Sequence, residues 1–163
     1  MDYKIISFII MNVAFWAYVI PMCIKYGIPP SISDSYYKLR RNLQGLFTLS
    51  MWGVAIPAII LGVEQSGLAF LAGVGIAFVG ASPAFKSKDG KHSMEGTIHQ
   101  IGALIGLIGS QLMILTVSGL PIVTASLFLA CIACLPKFRS KFIFIVEIIA
   151  FLAVDLFYLF QLI

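Results

Sequence analysis

Long apolar stretches separated by short polar segments make up most of the chain. A helix that spans a bilayer needs about 20 predominantly apolar residues, and six stretches reach or approach that length. They run approximately over Tyr3–Ile24, Leu43–Val63, Leu68–Phe85, Ile98–Val117, Leu120–Leu135 and Phe142–Leu162. The pattern therefore predicts an all-α integral membrane bundle of six transmembrane helices, formed as a single domain over residues 1–163.

Small residues repeat along one side of the fourth stretch, on the face that also carries His99. They are Gly102, Ala103, Gly106, Gly109 and Ser110. The third stretch has a similar row, which consists of Gly73, Ala77, Gly80 and Ala81. Because small residues let helices approach closely in a membrane, we expect these two stretches to form the tightest helix pair. The same glycine-rich faces are candidates for contacts in a homo-oligomer.

The composition agrees with a membrane protein and excludes a water-soluble fold. Hydrophobic residues make up 60% of the chain, charged residues 11%, and the mean hydropathy is +1.01. The net charge of +4 does not indicate a nucleic-acid partner, because every basic residue except Lys4 lies at the ends of stretches or in the loops on one side. By the positive-inside rule those loops are cytoplasmic. Both termini then face outward, and the predicted location is the bacterial inner membrane, with the lipid bilayer as partner.

The first loop contains the run Ser31–Tyr37 (SISDSYY) after two prolines. Ser31 and Asp34 have the spacing of a capping box, which predicts a short interfacial helix over Asp34–Asn42. Two interpretations stay open. The loop is either a basic and aromatic anchor on anionic lipid, or a lid in which the serine-rich run folds back over the bundle.

Polar side chains at membrane depth form two predicted layers. An ionised acid there costs about 2.5–3.5 kcal/mol and is a functional candidate by default. The inner layer, near the cytoplasmic side, consists of His99, Ser82, Glu147, Thr48 or Ser50 and, if the loop folds inward, Ser33, Asp34 and Tyr36. The outer layer consists of Asn12, Gln111 and Asp155. Together they are the predicted ligand or proton site.

Each of these residues also has a purely structural interpretation. His99 lies at a helix start, where its ring can bond a loop carbonyl, and Glu147 can reach toward Lys141 or water. Asp155 can pair with Asn12 or Gln111 as a buried hydrogen bond. These alternatives stay open beside the functional ones.

The inner layer has the residue types for two kinds of chemistry. Histidine and carboxylates can hold a metal ion, or act as general acid and base on a polar headgroup. No cofactor is expected, and if a metal is bound, zinc is the candidate, with His99, Asp34 and Glu147 as ligands. The sequence has none of the strong catalytic signatures such as GxSxG or HExxH.

Two resemblances add to these expectations. The segments GIPPSISDSYYKL, LFTLSMWG, FVGASPAFK and IHQIGA resemble a family of small polytopic integral membrane proteins of gut Bacteroidetes and their prophages. That resemblance runs nearly end to end and implies an inner-membrane location without an assigned activity. Ser33, Asp34 and His99 are also similar to residues of the alkaline ceramidase superfamily, membrane hydrolases with a zinc ion. That family has more histidines and seven spans, so a three-histidine zinc site is not expected here.

Three functions are consistent with this sequence. The first is binding or transport of a small ion or a polar lipid-like ligand at the cytoplasm-facing site, without catalysis. The second is a metal-assisted lipid hydrolase of ceramidase-like type. The third is a structural or phage-associated membrane component that acts through partners.

Overall fold

The computed structural model describes residues 2–86, 93–117 and 139–162, together with residues 129, 132, 133 and 137. This part of the chain is helical and has no β-strand. Four of its segments are long and apolar enough to cross a membrane, namely Tyr3–Tyr26, Arg41–Gly62, Met94–Val117 and Arg139–Leu162. The described part of the chain is therefore all-helical, as predicted, and its long apolar helices indicate a membrane protein. The predicted fifth span, Leu120–Leu135, lies outside the described residues except for 129, 132 and 133.

Five α-helices and three short 3₁₀ segments make up the described fold. The α-helices are α1 (Tyr3–Tyr26), α2 (Gly45–Gly62), α3 (Gly67–Ala81), α4 (Met94–Val117) and α5 (Phe142–Leu162). The 3₁₀ segments are Ser33–Lys38, Arg41–Leu43 and Arg139–Lys141.

Local sequence signals explain where the first helices begin and end. The side chains of Asp2 and Ser66 cap α1 and α3 by accepting hydrogen bonds from the first-turn N–H groups. Gly27 ends α1 with a φ of +71°, a left-handed value that favours glycine. Helix α3 ends at Ala81, four residues before the predicted boundary, because Pro83 disfavours the helical conformation in the residue before it.

Helix α3 lies between α2 and α4 and has the two most extensive helix contacts in the described part. Gly75 faces α4 so closely that a Cβ atom there would lie 2.5 Å from the backbone nitrogen of Gly106. The predicted pairing of α3 with α4 is therefore present. The predicted face of α3 is wrong, because Gly73 and Gly80 contact Ile59 and Trp52 of α2 instead. Sequence spacing does not determine which of two neighbours a small residue faces.

Large apolar side chains are exposed along all of the long helices, as expected where a helix contacts lipid. Examples are Val13 and Ile24 in α1, Leu49 and Ile56 in α2, Ile101 and Leu104 in α4, and Leu156 and Phe160 in α5. The interior is also apolar, and the rings of Phe15 in α1 and Phe151 in α5 stack with centroids 3.6 Å apart.

Helices α4 and α5 run in the same direction. Near its start, α4 contacts the first loop through His99, and α5 contacts the same loop through Glu147. Further along, Gln111 of α4 donates a hydrogen bond to the carbonyl of Ala150 in α5. We call the end of the bundle that holds Ser31–Tyr37 the loop end. The opposite end holds Tyr3 and Glu64, which are joined by a hydrogen bond of 2.7 Å.

Candidate functional site

The run Ser31–Tyr37 folds onto the bundle, and we call it the lid. Ser33 and Ser35 are buried, with 7% and 1% of their surfaces exposed. The hydroxyl of Ser35 donates to the carbonyl of Ile32 at 2.5 Å, so its oxygen accepts from the hydroxyl of Tyr18, also at 2.5 Å. Of the two interpretations of this loop, the structure therefore has the one that folds inward.

The local conformation of the lid differs in part from the prediction. Ser31 accepts a hydrogen bond from the backbone N–H of Asp34 at 3.0 Å, as the capping spacing predicts. The expected single helix over Asp34–Asn42 is wrong, because two short 3₁₀ segments over Ser33–Lys38 and Arg41–Leu43 take its place. The ring of Tyr36 packs edge-on against Phe47.

His99 is buried between the lid and the end of α3, with 4% of its surface exposed. Its Nδ1 lies 2.8 Å from the carbonyl oxygen of Ser82, and its Nε2 lies 2.9 Å from the hydroxyl of Ser33. The ring of Phe85 stacks on the imidazole at 4.2 Å. A carbonyl can only accept, so Nδ1 carries the proton, and Nε2 of the neutral ring accepts from Ser33. The predicted bond from His99 to a loop carbonyl is present.

An ion pair and a hydrogen bond join the lid to the residues that follow α3. Asp34 forms an ion pair with Lys86, and the backbone N–H of Lys86 donates to the hydroxyl of Tyr37 at 2.6 Å. Burial raises the pKa of Tyr37, so its hydroxyl stays protonated at neutral pH. Asp34 is thus engaged by Lys86, a residue that follows α3.

Glu147 connects α5 to the lid from the other side. Its Oε2 accepts a hydrogen bond from the backbone N–H of Ile32 at 2.6 Å. Among the residues that the structure describes, no second donor to this carboxyl is present. The partner of Glu147 is therefore the lid backbone and not Lys141.

The predicted outer layer is divided into two separate contacts. Asn12 in α1 donates to Asp155 in α5 at 2.5 Å and also to the carbonyl of Phe8 at 3.1 Å. Gln111 in α4 instead donates to the carbonyl of Ala150 at 3.4 Å. Of the two partners predicted for Asp155, the structure therefore has Asn12.

Two further hydroxyls of the predicted inner layer donate hydrogen bonds to backbone carbonyls. Ser82 donates to the carbonyl of Phe78 at 2.6 Å, and Ser50 donates to the carbonyl of Ala14 at 2.8 Å. Ser82 contributes to the site through its carbonyl, which contacts His99. Ser50 joins α2 to α1.

A partly open cavity of about 140 Å³ lies between the five helices under the lid. Most of its lining is apolar and includes Phe15, Val54, Ile76, Leu107 and Phe151. Four polar side chains reach it: Ser33, Ser110, Glu147 and Tyr158. Ser33 and Glu147 give the loop end of the cavity a polar character, and the remaining wall is suited to hydrocarbon.

Two of the three candidate zinc ligands, His99 and Asp34, are engaged by other residues of the protein. Both ring nitrogens of His99 have protein partners, and Asp34 is paired with Lys86. In residues 2–86, 93–117 and 139–162, no three histidine, cysteine or acidic side chains are placed to hold a metal ion.

Three contributors to the site had no signal in the sequence. Tyr18 bonds Ser35, Phe85 stacks on His99, and Lys86 pairs with Asp34. Tyr18 looks like an ordinary apolar-face residue of α1, and Lys86 like a loop cation. These contacts depend on the three-dimensional fold, so spacing along the chain does not predict them.

No protein-family model, curated protein sequence or solved structure matches the chain. The resemblances to the Bacteroidetes membrane family and to the alkaline ceramidases therefore stay predictions.

Proposed function

We propose that this chain is a multi-pass inner-membrane protein that binds one amphipathic, lipid-like molecule in the cavity under the lid. The observation that carries the proposal is the distribution of polarity in that cavity. Ser33 and Glu147 lie at its loop end, and apolar side chains from all five helices form most of the remaining wall. A hydrocarbon group fits the wall, and a polar head fits the loop end.

The size of the cavity limits what it can hold. An apolar cavity of about 150 Å³ accommodates a benzene ring, so a volume of about 140 Å³ suits a ring or a chain segment of about six carbon atoms. The carboxyl oxygen of Glu147 that has no donor among the described residues is available to hydrogen-bond a hydroxyl or amine of the ligand. A small ion has no apolar group to contact this wall, so an ion alone would not explain why most of the lining is apolar.

The membrane topology belongs to the same proposal. Because α4 and α5 run in the same direction, both begin at the loop end, which supports the predicted six spans. The basic loops then lie in the cytoplasm and both termini outside. The loop end, with the lid and His99, faces the cytoplasm in this arrangement. The glycine-rich faces of α3 and α4 contact other helices of the same chain, so they give little support to a homo-oligomer.

Ion transport has weaker support than ligand binding. A relay needs the inner and outer polar groups to connect, and the outer groups form one pair, Asn12 with Asp155, and one backbone contact of Gln111. Each of these hydrogen bonds joins two helices, which is the usual role of such residues in membranes.

Saturable binding of 6-bromo-1-hexanol tests the proposal. The reporter is Trp16, which lies 5.8 Å from the cavity-lining ring of Phe151, in a Trp52→Phe background where it is the single tryptophan. In nanodiscs we expect saturable quenching of its fluorescence by the bromine. Quenching that rises linearly, as for simple partitioning into lipid, would contradict a defined site.

A matched pair of variants locates the binding. Ala150→Leu adds three carbons inside the cavity, whereas Ala17→Leu adds them to an exposed surface of α1. We expect the first to abolish the saturable part of the quenching and the second to leave it intact. Equal quenching in both variants would place the bromoalkanol outside the cavity and overturn the proposal.

A further inference from the structure

The hydrogen bonds of His99 place a serine hydroxyl and an oriented base beside the cavity. Nε2 of His99 lies 2.9 Å from Oγ of Ser33, and Nδ1 lies 2.8 Å from the carbonyl of Ser82. The carbonyl holds the proton on Nδ1, which leaves the lone pair of Nε2 directed at Ser33. A nucleophile, a base within hydrogen-bond distance and a third group that orients the base are the signature of covalent catalysis.

Two further contacts hold this pair in position. Phe85 stacks on the imidazole with a centroid distance of 4.2 Å and restricts its rotation. Glu147 binds the N–H of Ile32, the residue before Ser33, and so fixes the backbone that carries the hydroxyl. Ser33 itself lines the cavity. A carbonyl group at the polar end of a bound chain can therefore reach its Oγ.

We propose that Ser33 and His99 form a catalytic dyad that hydrolyses an ester of a short acyl chain held in the cavity. The inference rests on the proposed binding of a lipid-like molecule and names the reaction at that same site. No other part of the described chain brings a nucleophile and a base together in this way.

The reaction needs only water as a second reactant. Oγ of Ser33 bonds to the ester carbonyl carbon while its proton passes to Nε2 of His99. The bond from that carbon to the alkoxy oxygen breaks, and the proton on Nε2 passes to the leaving alcohol. Water then attacks the acyl-serine and gives a proton to Nε2, and that proton returns to Ser33 as the carboxylic acid leaves.

Covalent labelling with n-hexyl fluorophosphonate tests the dyad on the full chain in nanodiscs. The reagent forms a phosphorus–oxygen bond with an activated serine and releases fluoride. We expect one adduct by intact mass, located at Ser33 by peptide mapping, and none in Ser33→Ala. Ser7→Ala is the matched control, because Ser7 is equally buried in α1 but does not line the cavity; it should be labelled as the wild type is.

The role of the base has its own readout. We expect His99→Ala to label at least about 100-fold more slowly, the usual contribution of a general base, and added imidazole to restore part of the rate. A hydrogen bond that is merely structural would not be rescued in this way. Absence of an adduct on the folded wild-type protein, or an adduct at a serine other than Ser33, would overturn the dyad.

The outcomes separate the dyad from the binding proposal. Saturable quenching by 6-bromo-1-hexanol without labelling of Ser33 would reject the dyad and keep the binding site. In the opposite case, a methyl fluorophosphonate would label Ser33 as fast as the hexyl reagent does, and Ala150→Leu would not change the rate. That result would keep the dyad and reject the cavity as the site of the acyl chain.

Discussion

The carboxylate of Glu147 accepts a hydrogen bond from the backbone N–H of Ile32 at 2.6 Å, and this bond joins α5 to the lid. Ile32 is buried, with 7% of its surface exposed. The same acidic residue that looks like a functional group in the sequence therefore holds the lid closed over the cavity. One of its oxygens is engaged by the lid, and the other has no donor among the described residues.

Removal of this acceptor should loosen the lid. We expect Glu147→Ala to leave the N–H of Ile32 without a partner and to cost about 1–3 kcal/mol. Glu147→Gln retains an acceptor oxygen and should cost less. Hydrogen exchange of the amides in Ser31–Tyr37 measures the effect, with faster exchange expected in the alanine variant. Identical exchange in both variants would show that this bond does not hold the lid.

Close packing at Gly75 should make α3 sensitive to one added methyl group. A Cβ atom there would lie 2.5 Å from the nitrogen of Gly106 and 2.6 Å from the carbonyl oxygen of Gly102. We expect Gly75→Ala to destabilise the protein by about 1–3 kcal/mol, as overpacking does, in an unfolding titration with SDS. Gly67→Ala, at the start of the same helix with nothing within 4 Å, is the control. A neutral Gly75→Ala would contradict the described contact of α3 with α4.

The pair of Asn12 and Asp155 should behave as a coupled contact between α1 and α5. Hydrogen bonds between membrane helices contribute on average about 0.6 kcal/mol and at most about 1.7 kcal/mol. We expect a coupling free energy in that range from Asn12→Ala, Asp155→Ala and the double variant. Strict additivity of the two single changes would mean that these side chains do not interact.

Stability should fall in acid through a contact at the end of the bundle opposite the lid. Glu64 bonds Lys4 at 2.9 Å and Tyr3 at 2.7 Å, and these partners hold its pKa below the ordinary value of 4.5. A lowered pKa in the folded state contributes stability above pH 4.5, and that contribution is lost as the pH falls through the lowered value. We expect Glu64→Gln to remove this part of the acid dependence. Parallel stability curves for the variant and the wild type, from pH 6 down to about pH 3, would contradict it.

The sequence predicts the helical membrane fold and several contacts of the site well. Apolar length predicts the long helices, and one of the two interpretations of His99, a bond to a loop carbonyl, is present as its bond to Ser82. The hydrogen bond that the hydroxyl of Ser31 accepts from the backbone N–H of Asp34 follows from local spacing alone. These features depend on residues close together in the chain, or on one property averaged over a whole helix.

The remaining features depend on how helices rotate and which neighbours they meet. The spacing of Gly73, Gly75 and Gly80 does not show that Gly75 faces α4 while the other two face α2. The partner of Glu147 is a backbone N–H, which carries no sequence signal. The cavity arises from side chains of all five helices, so no single segment contains it.

The shortness of α3 has a consequence for the membrane itself. Its 15 residues extend over about 22 Å, whereas the hydrocarbon core of a bilayer is about 30 Å thick. This mismatch is met by local thinning of the bilayer, or by headgroups and water that descend to the polar residues after Ala81. Either response brings the aqueous boundary down toward His99 and the lid. The thicker the host bilayer, set by the acyl chains of its lipids, the larger this mismatch and the larger the distortion expected around α3.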